Sequence, residues 1–382
     1  MILAEILQSK ELPKPSKMGS YDYDDVVFLF KDISSIQLEV DTEDREEKIQ
    51  NGIHYSEMLP VEYKPSPAYL ELFHKSLKEN AQKVALAAAT VAELIRLKRG
   101  ENIVLASLAR AGTPIGVLLK KYLSFAYKIV VPHYSISIIR GKGIDENAIL
   151  YMIQNHPTAF IQFVDGWTGK GAISLVLKEA CKAFKDKFGY ELSDDLAVLA
   201  DPGHCVATFG TREDFIIPSA CLNSTVSGLV SRTVHREDLI GENDYHGAKY
   251  YSEWANEDVS KHFIESVCNY FPSVVVEAKK RAQELYTTDI QVPWKGLRDI
   301  KAIQQEFSID DVNLIKPGVG ETTRVLLRRV PWKILIDRED NPYLEHILLL
   351  ARDREVPVEV FPDLTYSCCG LINQIKKMEA NA

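Results

Sequence analysis

The sequence predicts an α/β fold: a parallel-sheet core domain followed by a small α/β/α domain. Three observations predict it. Short apolar runs at 103–106, 159–164 and 196–199 lack polar alternation, as strands buried on both faces require. Turns of small or polar residues follow the first two, and then segments of helical period, the alternation that builds β-α-β units. From Lys316 onward the same alternation returns on a smaller scale.

The elements follow in order. Residues 1–65 are mixed, with the acidic stretch Tyr21-Asp22-Tyr23-Asp24-Asp25 before a strand at 26–30. A helix over 67–100 starts at Pro67, has an Ala-rich middle and stops at Gly100. Strand 103–106 leads through the turn Ser107–Pro114 into a helix at 115–122, then strands at 129–131 and 135–139. The polar loop Arg140-Gly141-Lys142-Gly143-Ile144-Asp145 precedes a helix from Glu146. Strand 159–164 is followed by a helix that stops at Gly189, and strand 196–199 ends at Asp201-Pro202-Gly203. A polar segment over 287–309, with a helical piece, connects residues 1–286 to a second domain at 310–382. There a helix runs through Arg329, a strand covers 333–336, and Asp340-Asn341-Pro342 starts a helix reaching Arg354. Strand 358–361 and a last helix after Gly370 complete it.

The net charge of −9 argues against a broad nucleic-acid-binding surface, though not a local one. Six cysteines without CxxC spacing suggest reduced thiols and a cytoplasmic protein. No charged-then-apolar leader is expected at the start, and no apolar run approaches a membrane span.

The chemistry concentrates at strand ends. Strand 159–164 runs into Asp165-Gly166-Trp167-Thr168-Gly169-Lys170-Gly171. An acid at a strand's carboxyl end and a small-residue loop opening a helix suit a ribose-phosphate pocket, because loop N–H groups and the helix terminus face one anion. This segment resembles the signature of type I phosphoribosyltransferases. The resemblance implies that Ser107, Arg110, Ala111, Gly112 and Thr113 cradle a diphosphate. Arg140 and Lys142 then clamp the leaving group; they and Asp165 are the catalytic residues, with Asp165 on the ribose hydroxyls and Gly166, Trp167, Thr168, Gly169, Lys170 and Gly171 around the 5′-phosphate. It further implies 5-phosphoribosyl-1-diphosphate as the small-molecule substrate and magnesium as cofactor, held mainly by ligand oxygens and water rather than directly by the protein. Asp201, His204, Cys221 and Asn223 would line the acceptor pocket.

Together His54–Tyr63, Ser107–Gly116, His133–Asp145 and Phe163–Ile173 resemble a bacterial family of phosphoribosyltransferases from tellurium-resistance gene clusters. That family also carries the label StiP, with a proposed cysteine protease activity. On the protease alternative, Cys205 in Asp201-Pro-Gly-His204-Cys205 or Cys221 in Pro218-Ser-Ala-Cys221 supplies the nucleophile, with His204, His235 and His246 as candidate bases.

The run Lys316-Pro-Gly318-Val-Gly320-Glu321-Thr-Thr323-Arg324 and the element order after it resemble the pelota-like RNA-binding domain and its ribosomal relatives. The resemblance implies RNA contacts by Gly318, Gly320, Glu321, Thr323 and Arg324; Arg328, Arg329 and Lys333 add local charge. The leading expectation is therefore a phosphoribosyltransferase coupled to RNA or to stress. The alternatives are a cysteine hydrolase and a non-catalytic nucleotide or RNA sensor, and a homodimer is compatible with each.

Overall fold

The computed structural model describes residues 2–373. Six strands form the main sheet: β1 (Val27–Phe28), β2 (Ile103–Leu108), β3 (His133–Ile136), β4 (Phe160–Trp167), β5 (Ala197–Ala200) and β6 (Thr208–Thr211). Their spatial order is β1-β3-β2-β4-β5-β6, with every neighbouring pair parallel. The apolar runs read from the sequence are the central strands, and all six residues of β2 are buried. The expected strand at 129–131 is instead loop; pairing with β2 begins after Pro132, at His133.

The long helix α1 (Pro67–Arg99) crosses one face of the sheet. Its alanines explain how it fits: Ala81, Ala85, Ala88, Ala89 and Ala92 are buried. Small side chains let neighbours pack close, including α5 (Phe271–Thr287), whose Ala278 and Ala282 are fully buried. Glu93 is buried on α1, and its carboxylate accepts from the Tyr122 hydroxyl (2.6 Å) and the Tyr127 hydroxyl (2.7 Å). Burial without such donors costs several kcal/mol (roughly). Helices α2 (Gly112–Tyr127), α3 (Glu146–Asn155) and α4 (Ala172–Phe188) connect the strands. Asp145 caps α3 through the Ala148 amide (3.1 Å), while its other oxygen accepts from the His246 amide (2.6 Å).

The connecting segment forms α6 (Lys295–Glu306), which buries Ile300 and Ile303 under the C-terminal sheet. That sheet has the order β7 (Ile315–Pro317), β10 (Cys368–Ile372), β8 (Pro331–Ile336), β9 (Val358–Val360). It is mixed: β10 is antiparallel to both neighbours, and β8 and β9 are parallel. Helices α7 (Val319–Arg328) and α8 (Glu345–Asp353) cover it. The last helix expected after Gly370 is not found through Asn373, because Cys368–Ile372 completes the sheet; the remainder lies outside the described residues. Helix α8 starts later than expected, since Asn341 caps a turn through the Tyr343 amide (2.9 Å). One hydrophobic cluster runs from the core domain (Phe215, Ile217, Ala220) into the small domain (Val319, Leu326, Ile334). No described helix is long and apolar enough to cross a membrane.

Gly210 on β6 shows how tightly α1 lies on the sheet. A Cβ added there meets the Ala87 carbonyl oxygen at 2.3 Å and its Cα at 2.8 Å. Gly210→Ala is expected to destabilise the fold by about 1–3 kcal/mol, as overpacking does. Urea unfolding checks this, and an unchanged midpoint would show that α1 yields.

Candidate functional site

The chain leaves β2 toward β3 on one side of the sheet, then returns to β4 on the other. The crevice between the carboxyl ends of β2 and β4 is therefore the topological switch point where open α/β sheets bind ligands. Two loops meet there. A Cβ on Gly112 would lie 2.6 Å from the Val164 carbonyl oxygen, and one on Gly166 would lie 3.2 Å from the Ala111 carbonyl oxygen. Glycine at both positions lets the two turns touch through their backbones. The Ala109–Arg110 peptide is cis. Ser107 and Thr113 are buried: the Ser107 hydroxyl meets His133 Nε2 (2.8 Å), and the Thr113 hydroxyl meets that of Ser135 (2.7 Å).

Arg110 pairs with Glu62 (3.3 Å) and also donates to the Val230 carbonyl. Glu62 in turn accepts from the Ser224 amide (3.2 Å) and hydroxyl (3.1 Å). Asp165 is half-buried and accepts from the Gly166 amide (2.7 Å). Burial raises its carboxyl to about 7. The loop carrying Arg140 and Lys142 lies against Tyr55, whose hydroxyl accepts from the Arg140 amide (2.7 Å). The Arg140 guanidinium sits 5.3 Å from the Tyr55 ring centre and reaches Asn313 in the small domain (3.4 Å).

The loop after β5 contributes Asp201, His204 and Cys205. Asp201 is fully buried; it accepts from the Thr168 hydroxyl (2.6 Å) and the Cys205 amide (2.7 Å), with Arg212 at 3.5 Å. The Cys205 thiol donates to the carbonyls of Gly203 (3.3 Å) and Gly169 (3.8 Å). Burial and then Asp201 push this thiol up to about 12. Burial, then Arg212 and Lys295, lower His204 to about 4, so its imidazole is neutral at pH 7. Cys221 sits elsewhere, buried with its sulfur 3.7 Å from the Ser76 hydroxyl on α1, and Asn223 precedes a short helical turn at Ser224–Val226. The four residues expected to share one pocket thus divide into two groups.

The glycine-rich loop is used by the protein itself. Tyr366 of the small domain donates its hydroxyl to the Gly169 carbonyl (2.9 Å). Lys170 donates to the Val312 carbonyl (2.8 Å). Gly171 has φ of 81°, and a Cβ there would lie 2.4 Å from the Trp294 ring. The segment expected to meet RNA also faces the core domain. Gly318 (φ 92°) and the Val319 amide meet Asp214, Gly320 lies over Ala220, and Arg324 donates to the Ala220 carbonyl (3.0 Å) while pairing with Glu321 (2.9 Å). The Thr323 hydroxyl donates back along α7 to the Val319 carbonyl (2.8 Å). The side chain of Arg328 lies outside the described residues. Sequence reasoning missed Asp214, Arg232, Trp294 and Tyr366. Asp214 ends the polar run Thr211-Arg212-Glu213-Asp214, which reads as solvated, and no local signal marks the others.

The architecture is thus a parallel α/β domain whose carboxyl edge is covered by a second α/β unit. A family described as "Tellurite-like stress resistance cysteine protease StiP" matches residues 19–268, and the "PELOTA RNA binding domain" matches residues 294–374. The chain is 34% identical to "Cysteine protease StiP" of Acinetobacter baylyi, over 94% of this chain and 95% of that protein. It belongs to the StiP family. A solved tyrosine aminotransferase from Leishmania infantum is 9% identical, covers 84% of this chain and 78% of its own, and has a TM-score of 0.21, too low to carry an argument.

These findings correct the transferase expectation. Family and relative are both named as a cysteine protease, a hydrolase, and neither match names a phosphoribosyltransferase or its diphosphate substrate. The loop that suggested a phosphate cradle has another physical explanation, since Gly169, Lys170 and Gly171 are shaped by contacts with Tyr366, Val312 and Trp294.

Asp165 makes a testable contribution to stability. Its carboxyl titrates higher in the folded chain than in the unfolded one, so its stabilising effect is complete below about pH 4 and is lost as pH rises through about 7. Asp165→Asn is expected to flatten the fall in unfolding free energy over that window. Urea titrations at several pH values check this, and parallel profiles for the two proteins would refute it.

Proposed function

We propose that this chain is a cysteine hydrolase acting on peptide bonds, with Cys205 as nucleophile and His204 as its base. The supporting observation is where Cys205 lies, directly after β5 beside Gly169 and Asp201, in a family and beside a relative named as cysteine protease. Cys221, the other candidate, packs against α1.

The chemistry follows from the groups present. A neutral imidazole accepts a proton. On this proposal His204 takes the proton of Cys205, the thiolate sulfur bonds to the carbonyl carbon, and the C–N bond breaks as the imidazolium returns the proton to the departing amine. Water then hydrolyses the thioester and regenerates the thiol. Burial holds Cys205 as a thiol in the closed arrangement, with Trp294 and Tyr366 packed beside the neighbouring loop. On this proposal the thiol must be uncovered for His204 to deprotonate it, by substrate entry at the carboxyl edge.

The test compares wild type, Cys205→Ala and Cys221→Ala against a fluorogenic peptide library. Cys205→Ala is expected to lose activity by about a thousandfold or more, and Cys221→Ala to stay within a few-fold. Wild-type alkylation by iodoacetamide, followed at Cys205 by mass spectrometry, should be slow at pH 7 and rise about tenfold per pH unit toward pH 10. Equal cleavage by both variants, or loss only in Cys221→Ala, would overturn the assignment.

A further inference from the structure

The connector between the domains runs over the loop that carries His204 and Cys205. Its stretch Asp289–Trp294 is irregular, and α6 begins at Lys295. Three hydrogen bonds fasten it. Arg212, at the end of β6, donates to the Gln291 carbonyl (3.4 Å) and lies 3.5 Å from Asp201, the carboxylate that holds the Cys205 amide. The Trp294 amide donates to the His204 carbonyl (3.1 Å), and the Gly296 amide to the Gly203 carbonyl (2.9 Å).

Two of the joined residues are strained. Trp294 (φ 53°) and His204 (φ 51°) both have left-handed backbone, and neither is glycine. Such a conformation crowds the Cβ, and it persists only where the surroundings hold it. Trp294 is the N-cap of α6, a place ordinarily taken by an extended Ser, Thr, Asp or Asn, and its side chain makes no capping bond. Capping therefore does not account for a tryptophan here. The position of its ring does. A Cβ on Gly171 would lie 2.9 Å from both Trp294 Cε3 and the Cys205 sulfur, so ring and thiol flank one bare stretch of backbone. From the small domain, the Tyr366 hydroxyl closes the same slot: it donates to the Gly169 carbonyl (2.9 Å) and lies against Gly203 and Gly296. Cys205 is left only 3% exposed.

We propose that Gln291–Gly296 is an autoinhibitory strap, with the Trp294 indole as the plug that shields the Cys205 sulfur. A peptide reaching the sulfur displaces the indole. That breaks the bond between the Trp294 amide and the His204 carbonyl and lets both residues leave the left-handed region, so released strain offsets part of the cost of opening. The consequence for hydrolysis rests on the reading of Cys205 as nucleophile; the shielding of its sulfur does not.

The test is iodoacetamide alkylation of the full-length chain at about pH 9, followed by mass spectrometry at Cys205 and, as internal reference, at Cys221, which packs against α1. Trp294→Gly removes the ring and suits the left-handed backbone. It is expected to raise the rate at Cys205 about tenfold or more, with Cys221 and the melting temperature as in wild type. Trp294→Phe, which keeps a ring over Gly171, should stay within about threefold of wild type. An unchanged Cys205 rate in Trp294→Gly, or an equal rise at Cys205 and Cys221, which marks general unfolding, would contradict the strap. Faster alkylation of Trp294→Gly without faster cleavage of fluorogenic peptides supports the strap and counts against the hydrolase reading instead.

Discussion

One buried carboxylate holds the two domains in register. Asp214 accepts the Val319 amide (3.0 Å) and the Ser367 amide (2.8 Å), while its own carbonyl takes the Ser367 hydroxyl (2.8 Å). Val319 is the first residue of α7, so the carboxylate faces the positive end of that helix. Burial raises Asp214 to about 6, so it is mainly ionised at neutral pH and its hydrogen bonds are charge-assisted. Without it, two buried N–H groups lose their partner, at about 1–3 kcal/mol each. The site's closed geometry depends on this contact, because Tyr366 is next to Ser367 in the chain and Lys316 is close to Val319.

The contact also explains why both motifs that looked ligand-facing are covered. A glycine is needed wherever another group approaches the backbone, whether that group is a phosphate or an indole ring. At Gly171 the partner is Trp294, and at Gly318 it is Asp214. From sequence the two cases are indistinguishable, since each asks only for the absence of a Cβ.

The fold was legible where the physics is local. Apolar runs marked β2 and β5, and one broken only by Gln162 marked β4, because a strand buried on both faces has little polar side to show. Alanines marked the buried stripe of α1. Cys368–Ile372 was misread as the approach to a helix, because its identity as a strand comes from antiparallel partners at 315–317 and 331–336. Within the site, Asp165, Arg140 and Lys170 stood out by lying at strand ends and in glycine-rich loops. Asp214, Trp294 and Tyr366 did not, since only tertiary folding brings them to the junction. Cys205 was visible as a candidate, but its thiol state depends on burial that no spacing encodes.

The junction thus combines a shielded thiol with a covering domain that the Asp214 contact ties to the core. Amide hydrogen exchange at Val319 and Ser367 tests that dependence most directly, in wild type and Asp214→Ala. Both amides should be protected in wild type and exchange at least about tenfold faster in the variant, with the amides of β2 unaffected. Equal exchange at Val319 and Ser367 in the two proteins would contradict the account.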